Sequence, residues 1–110
     1  MLFCVTAQYT PEALRAMREN PNTDRRQAAN QLAEAAGGKV VSFYFTISDG
    51  PGAHVIFDVE PQMAAAMMGI ATASGMYRNM KMNRLYTAEE VADIRARGNS
   101  IRESFKPPGA

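Results

Sequence analysis

The sequence predicts one α+β domain whose elements run strand-helix-strand-strand-helix-strand, followed by an extra C-terminal helix. Three observations carry that expectation. Four segments alternate apolar and polar residues with the period of two of a half-buried strand, and two intervening stretches place apolar residues at helical spacing. The turn Ser48-Asp49-Gly50-Pro51-Gly52 joins the middle two strands directly, so they form an antiparallel hairpin. This order is ferredoxin-like, with both major helices on one side of a four-stranded sheet.

The first strand is expected over Leu2 to Tyr9, where Phe3, Val5 and Tyr9 interleave with Thr6 and Gln8. Thr10 then offers a hydroxyl to an early helical amide, and Pro11 stands where its missing N–H costs nothing, so a helix starts there. Asn20-Pro21-Asn22 interrupts it, because Pro21 lacks a donor and disfavours the α conformation at Asn20. A second helical segment is expected from about Asp24, with Ala28, Ala29, Leu32, Ala33 and Ala36 on one stripe and Gly37-Gly38 as its stop.

Lys39 to Ile47 reads as the second strand, with Val41, Phe43, Phe45 and Ile47 on one face and Val40, Ser42, Tyr44 and Thr46 on the other. The third spans Ala53 to Glu60, where Val55, Phe57 and Val59 alternate with His54, Ile56 and Asp58. Pro61 opens a Met- and Ala-rich helix that stops at Ser74-Gly75, and Met76 to Tyr86 returns as the fourth strand. Thr87-Ala88-Glu89-Glu90 is a capping box for a last helix to about Arg97. The domain is thus read as residues 1–98, with 99–110 an irregular tail lying over a neighbour or mobile.

At 110 residues the chain has the size of one domain, and 46% hydrophobic against 21% charged residues supplies a core without the charge density of a disordered chain. Its formal net charge of +1 provides no broad field for phosphate backbones or acidic lipid, so neither nucleic acid nor a membrane is an expected partner. The single cysteine, Cys4, excludes an internal disulfide and a cysteine-rich metal site, and on an apolar strand it reads as an inert thiol. Without a basic flank and a long apolar run at its start, the chain is expected in the cytoplasm. No metal or cofactor is expected: phosphate loop, zinc spacing, nucleophile elbow and dinucleotide fingerprint are all missing. Eight methionines are many for this length, and they read as adaptable packing rather than as thioether ligands.

A sheet covered by helices on one side leaves the other side open. By the pattern, that open face carries Leu2, Cys4, Val40, Tyr44 and Ile56, enough apolar surface to require a cover. Two sheets packed face to face supply it, so the expected partner is a second copy, in a homodimer or larger assembly closing into a dimeric α/β barrel. The same face gathers the polar candidates. His54, the only histidine, follows the glycine-rich turn, where an imidazole can act as a general base; the alternative is a half-exposed strand residue. Thr6, Gln8, Ser42 and Tyr44, with Tyr77 or Asn79 from the last strand, are the residues expected to line a ligand cavity with it. Asp58 is expected to pair with Arg78 or Arg84.

Four stretches, in order, resemble one family: Phe3-Cys4-Val5-Thr6 with Tyr9-Thr10 after it; Ala35-Ala36-Gly37-Gly38-Lys39-Val40 leading to Phe43-Tyr44; Val55-Ile56-Phe57-Asp58-Val59-Glu60-Pro61; and Arg84-Leu85-Tyr86-Thr87 before Glu89-Glu90. Over about residues 3 to 95 the chain resembles the small bacterial GYD-domain proteins, a group with the dimeric α/β-barrel variant of the ferredoxin-like fold. The resemblance implies fold and dimerisation more than activity. The Gly-Tyr-Asp tripeptide that names the family is replaced here by Gly52-Ala53-His54, so the roles of its Tyr and Asp do not carry over.

Three functions are compatible with this reading. The first is a small-ligand-binding protein with its cavity on the open face, lined by Gln8, Tyr44 and His54. The second is a cofactor-free isomerase or oxygenase in which His54 moves a proton and Tyr44 or Gln8 steadies an oxyanion. The third is an oligomeric interaction module whose open face is consumed by self-packing.

Overall fold

The computed structural model describes residues 1–110 and shows the expected α+β, ferredoxin-like order. Strand β1 (Leu2–Tyr9) leads into α1 (Pro11–Glu19) and α2 (Arg25–Ala35); β2 (Lys39–Thr46) and β3 (Gly52–Asp58) form the hairpin; α3 (Pro61–Ala73) precedes β4 (Tyr77–Leu85), and α4 (Ala88–Ile101) ends in the 3-10 turn Arg102–Ser104. The antiparallel sheet has the order β2-β3-β1-β4.

Local chemistry sets the helix limits. The Thr10 hydroxyl accepts from the Ala13 amide with Pro11 in the first turn, and the Asp24 carboxylate accepts from the Gln27 amide to restart the chain as α2 beyond Pro21. Thr87 and Glu90 form the reciprocal capping box of α4. Gly37 and Gly75, at φ 80° and 73°, supply the left-handed residue after α2 and α3. Gly52 answers a different demand, since a Cβ there would overlap the Ala7 carbonyl oxygen on the neighbouring strand.

The core lies between the sheet and α1–α3. Phe3, Val5 and Tyr9 from β1 meet Ala53, Val55 and Phe57 from β3 and, from the helices, Ala13, Ala33, Ala64 and Met67. Two irregularities alter the expected faces. Between Val40 and Ser42 the register with β3 shifts by one residue, so Val41 bulges out and Val40 turns to the helix side opposite Phe57. Val40 therefore leaves the open face, a correction to strict alternation. On β4, Thr6 faces Lys81 while Gln8 faces Arg78, and Asn79 in the intervening bulge has φ 53°.

Helix α4 differs from the others. It runs through Gly98, because one helical glycine costs only about 1 kcal/mol relative to alanine, so the helix does not end there as expected. None of its residues is buried, and it projects from the domain. The radius of gyration is accordingly 17.8 Å, against about 13 Å for a compact chain of this length. Arg84 anchors its start, pairing with Glu90 at 3.1 Å and stacking 4.4 Å from the Tyr86 ring centre. Asp58 pairs instead with the N-terminal ammonium at 2.8 Å, rather than with Arg78 or Arg84.

Candidate functional site

Strand register places most of the expected residues together on the open face. Tyr44, His54 and Thr6 stand side by side on β2, β3 and β1 and continue to Lys81 on β4. Ser42 lies in the row to one side, opposite Ile56, and Gln8 in the row to the other side, opposite Gly52. Asn79 joins Thr6, Gln8, Asp49 and Lys81 around a polar recess of about 240 Å3 at the β4 end of this face. The Gln8 Oε1 is buried and accepts no hydrogen bond. Tyr77 is not with them: it faces the helices, opposite Tyr9.

The open face also holds a contact that sequence spacing does not suggest. The Cys4 Sγ and His54 Nε2 are 3.0 Å apart, because residues 4 and 54 are diagonal neighbours on adjacent antiparallel strands. Burial raises the pKa of the Cys4 thiol, so at neutral pH the sulfur is S–H and its natural role is to donate to the imidazole. His54 lines none of the four main cavities.

The larger void lies on the opposite side of the sheet, under α1, α2 and α3. It consists of a compartment of about 370 Å3 under α1 and a deeper one of about 110 Å3 against the sheet, with Tyr9, Arg25, Leu32, Ala71 and Tyr77 in the walls of both. The helix break created by Pro21 opens its mouth, with Asn20 and Thr23 on one side and Ser74 on the other. Five methionines form much of the wall: Met17 and Met76 in the outer compartment, Met67, Met68 and Met80 in the inner. Their unbranched, polarizable side chains reshape easily around a guest.

Inside the Asn20, Thr23 and Ser74 side chains of the mouth, polarity in this chamber is concentrated at one point. Arg25, in the first turn of α2, donates from Nη2 to the Tyr77 hydroxyl at 2.8 Å, and the Tyr77 and Tyr9 rings lie 5.4 Å apart. The three ion pairs of the chain are Met1 with Asp58, Arg84 with Glu90 and Arg97 with Asp93, so no carboxylate neutralises Arg25. Burial works against its charge, but the Tyr77 and Tyr9 hydroxyls outweigh that and raise its pKa. Burial, then Tyr77, pushes the Tyr9 hydroxyl up, which keeps it a phenol at neutral pH.

Sequence reasoning passed over Arg25, yet the signal was present. Arg25 begins the stripe that continues through Ala28, Ala29 and Leu32, so it stands on the inward face of α2, whereas Arg26 next to it is exposed.

A search of curated proteins finds no match to this chain. The family model described as the GYD domain matches residues 3–94, nearly the whole folded region. The chain belongs to the GYD-domain family.

Proposed function

We propose that this protein binds a small organic molecule, and that the molecule sits in the chamber between the helices and the sheet rather than on the open face. The observation that carries this reading is the chamber itself. Its outer compartment of about 370 Å3 falls within the range of small-molecule sites, its walls are apolar and methionine-rich, and one polar cluster is positioned to orient a guest. The chamber opens to solvent at the Pro21 break, so its apolar walls stay wet unless a guest covers them.

Proton transfer by His54 is the weaker reading. Its Nε2 is engaged by the Cys4 thiol, and no main cavity brings a substrate to its ring. We also read the protein as a homodimer or larger assembly. On the open face Tyr44 is 65% exposed, and on the projecting α4 and tail Ile101 and Phe105 are 68% and 71% exposed, the surfaces a second copy would cover.

Native mass spectrometry of protein purified from its own host, set against the denatured mass, tests both parts. Extra non-covalent mass on an even-numbered oligomer supports them. A bare monomer that stays bare when offered small apolar molecules contradicts both.

A further inference from the structure

We infer that the ligand is an amphipathic monoanion, an apolar body ending in a single carboxylate, and that Arg25 with Tyr77 and Tyr9 forms its anion subsite. The inference rests on the ligand-binding reading and adds to it the chemical class of the guest.

The argument begins with an imbalance. A guanidinium carries five N–H donors, and the protein acceptors facing Arg25 are the Tyr77 hydroxyl, at 2.8 Å from Nη2, and the Tyr9 hydroxyl, which leaves most of those donors unspent. Arg25 is half-withdrawn from water, and a charge so placed is better held when it is paired. Arg25 has no acidic partner, although its chamber wall is otherwise almost wholly apolar. A ligand that brings the missing negative charge completes the pair.

Geometry narrows the class further. The planar guanidinium fork matches the two oxygens of a carboxylate, and the Tyr9 hydroxyl, kept protonated by burial and by Tyr77, is a donor for the same group. One cation balances one negative charge. A phosphate monoester brings nearly two, with no lysine or second arginine in either compartment to meet the excess. The methionine-lined remainder suits an apolar body, and the outer compartment has room for roughly a dozen non-hydrogen atoms at the ~30 Å3 that water occupies in the liquid.

Octanoate and octanamide, which differ in charge but hardly in shape, separate the possibilities by isothermal titration. The full-length protein is expected to bind octanoate about tenfold or more tighter than octanamide, as a charge-assisted hydrogen bond predicts. Arg25→Gln is expected to remove that preference, with circular dichroism and an unchanged thermal transition reporting that the variant is folded. Arg25→Lys is expected to keep part of the preference. Equal binding of the two compounds by the unaltered protein overturns the anion subsite and leaves the cavity reading standing. Binding of neither at millimolar concentration overturns both. A preference for octanoate that survives in Arg25→Gln also overturns the assignment, since the charge would then be met elsewhere.

Discussion

The hydrogen bond from Arg25 to the Tyr77 hydroxyl, 2.8 Å long, ties the first turn of α2 to the first residue of β4 and fixes the one charged group in the helix–sheet chamber. Tyr77→Phe takes the 2.8 Å acceptor from that charge and leaves it only the Tyr9 hydroxyl. A hydrogen bond to a charged group contributes roughly 1.5–3 kcal/mol, and partial exposure brings the expected loss to about 1–2 kcal/mol. Arg25→Met removes the charge together with its need for a partner, so its cost is expected to be smaller, within about 1 kcal/mol. Urea unfolding of the two variants gives the order directly.

Two glycines are expected to respond oppositely to a methyl group. Gly52→Ala forces a Cβ onto the Ala7 carbonyl and is predicted to destabilise by about 1–3 kcal/mol. Gly69, within α3, has open space around the same position, so Gly69→Ala is predicted to stabilise by up to about 1 kcal/mol. Thermal unfolding of both measures the contrast.

The Cys4 thiol is predicted to react slowly with an aromatic disulfide reagent at pH 7 in the native protein, at least about tenfold slower than after unfolding in urea, because burial disfavours the thiolate. Its rate should climb as pH approaches its raised pKa. Rapid reaction at pH 7 would mean that His54 has taken the proton to form a thiolate–imidazolium pair.

Acid should loosen α4 at its start. The Thr87 amide, and after it Arg84, holds the Glu90 carboxyl below the ordinary glutamate value. A depressed carboxylate contributes stability that is fully present above about pH 4.3 and is lost as pH falls through the lower folded value. Protection of the Thr87, Glu90 and Val91 amides, expressed relative to the intrinsic exchange rate at each pH, is therefore expected to fall below about pH 4, and Glu90→Ala should show the loosening at neutral pH.

A charge on the open face tests self-association. Tyr44→Glu is predicted to shift the protein toward monomer in sedimentation experiments while preserving its fold, because the Tyr44 side chain is exposed and contributes little to the core. Unchanged assembly would place any interface elsewhere.

The fold was legible in the sequence wherever a local physical cause was visible. Thr10-Pro11, Asp24 and Thr87 with Glu90 each cap the helix they were expected to begin. The faces of the strands were legible only where alternation is unbroken. The bulge at Val41 reverses Val40, and no residue in Lys39–Thr46 announces it, because every position there is compatible with a strand. The face of Tyr77 was equally hidden, since the bulge at Asn79 resets the phase of β4. The Cys4–His54 contact depends on register between strands fifty residues apart and has no local signal. Arg25 was the readable exception, standing at the head of an apolar helical stripe where a charged residue required an explanation.

The methionines themselves give the most direct test of the central claim, that the helix–sheet chamber receives a small molecule. With the methionine methyl groups isotopically labelled, octanoate is titrated into the full-length protein and followed by NMR. The account predicts saturable shifts at Met17, Met68, Met76 and Met80, which line the chamber, and none at Met1 or Met63, which lie outside it. Saturable shifts confined to Met1 and Met63, or no saturable shift at all, would contradict it.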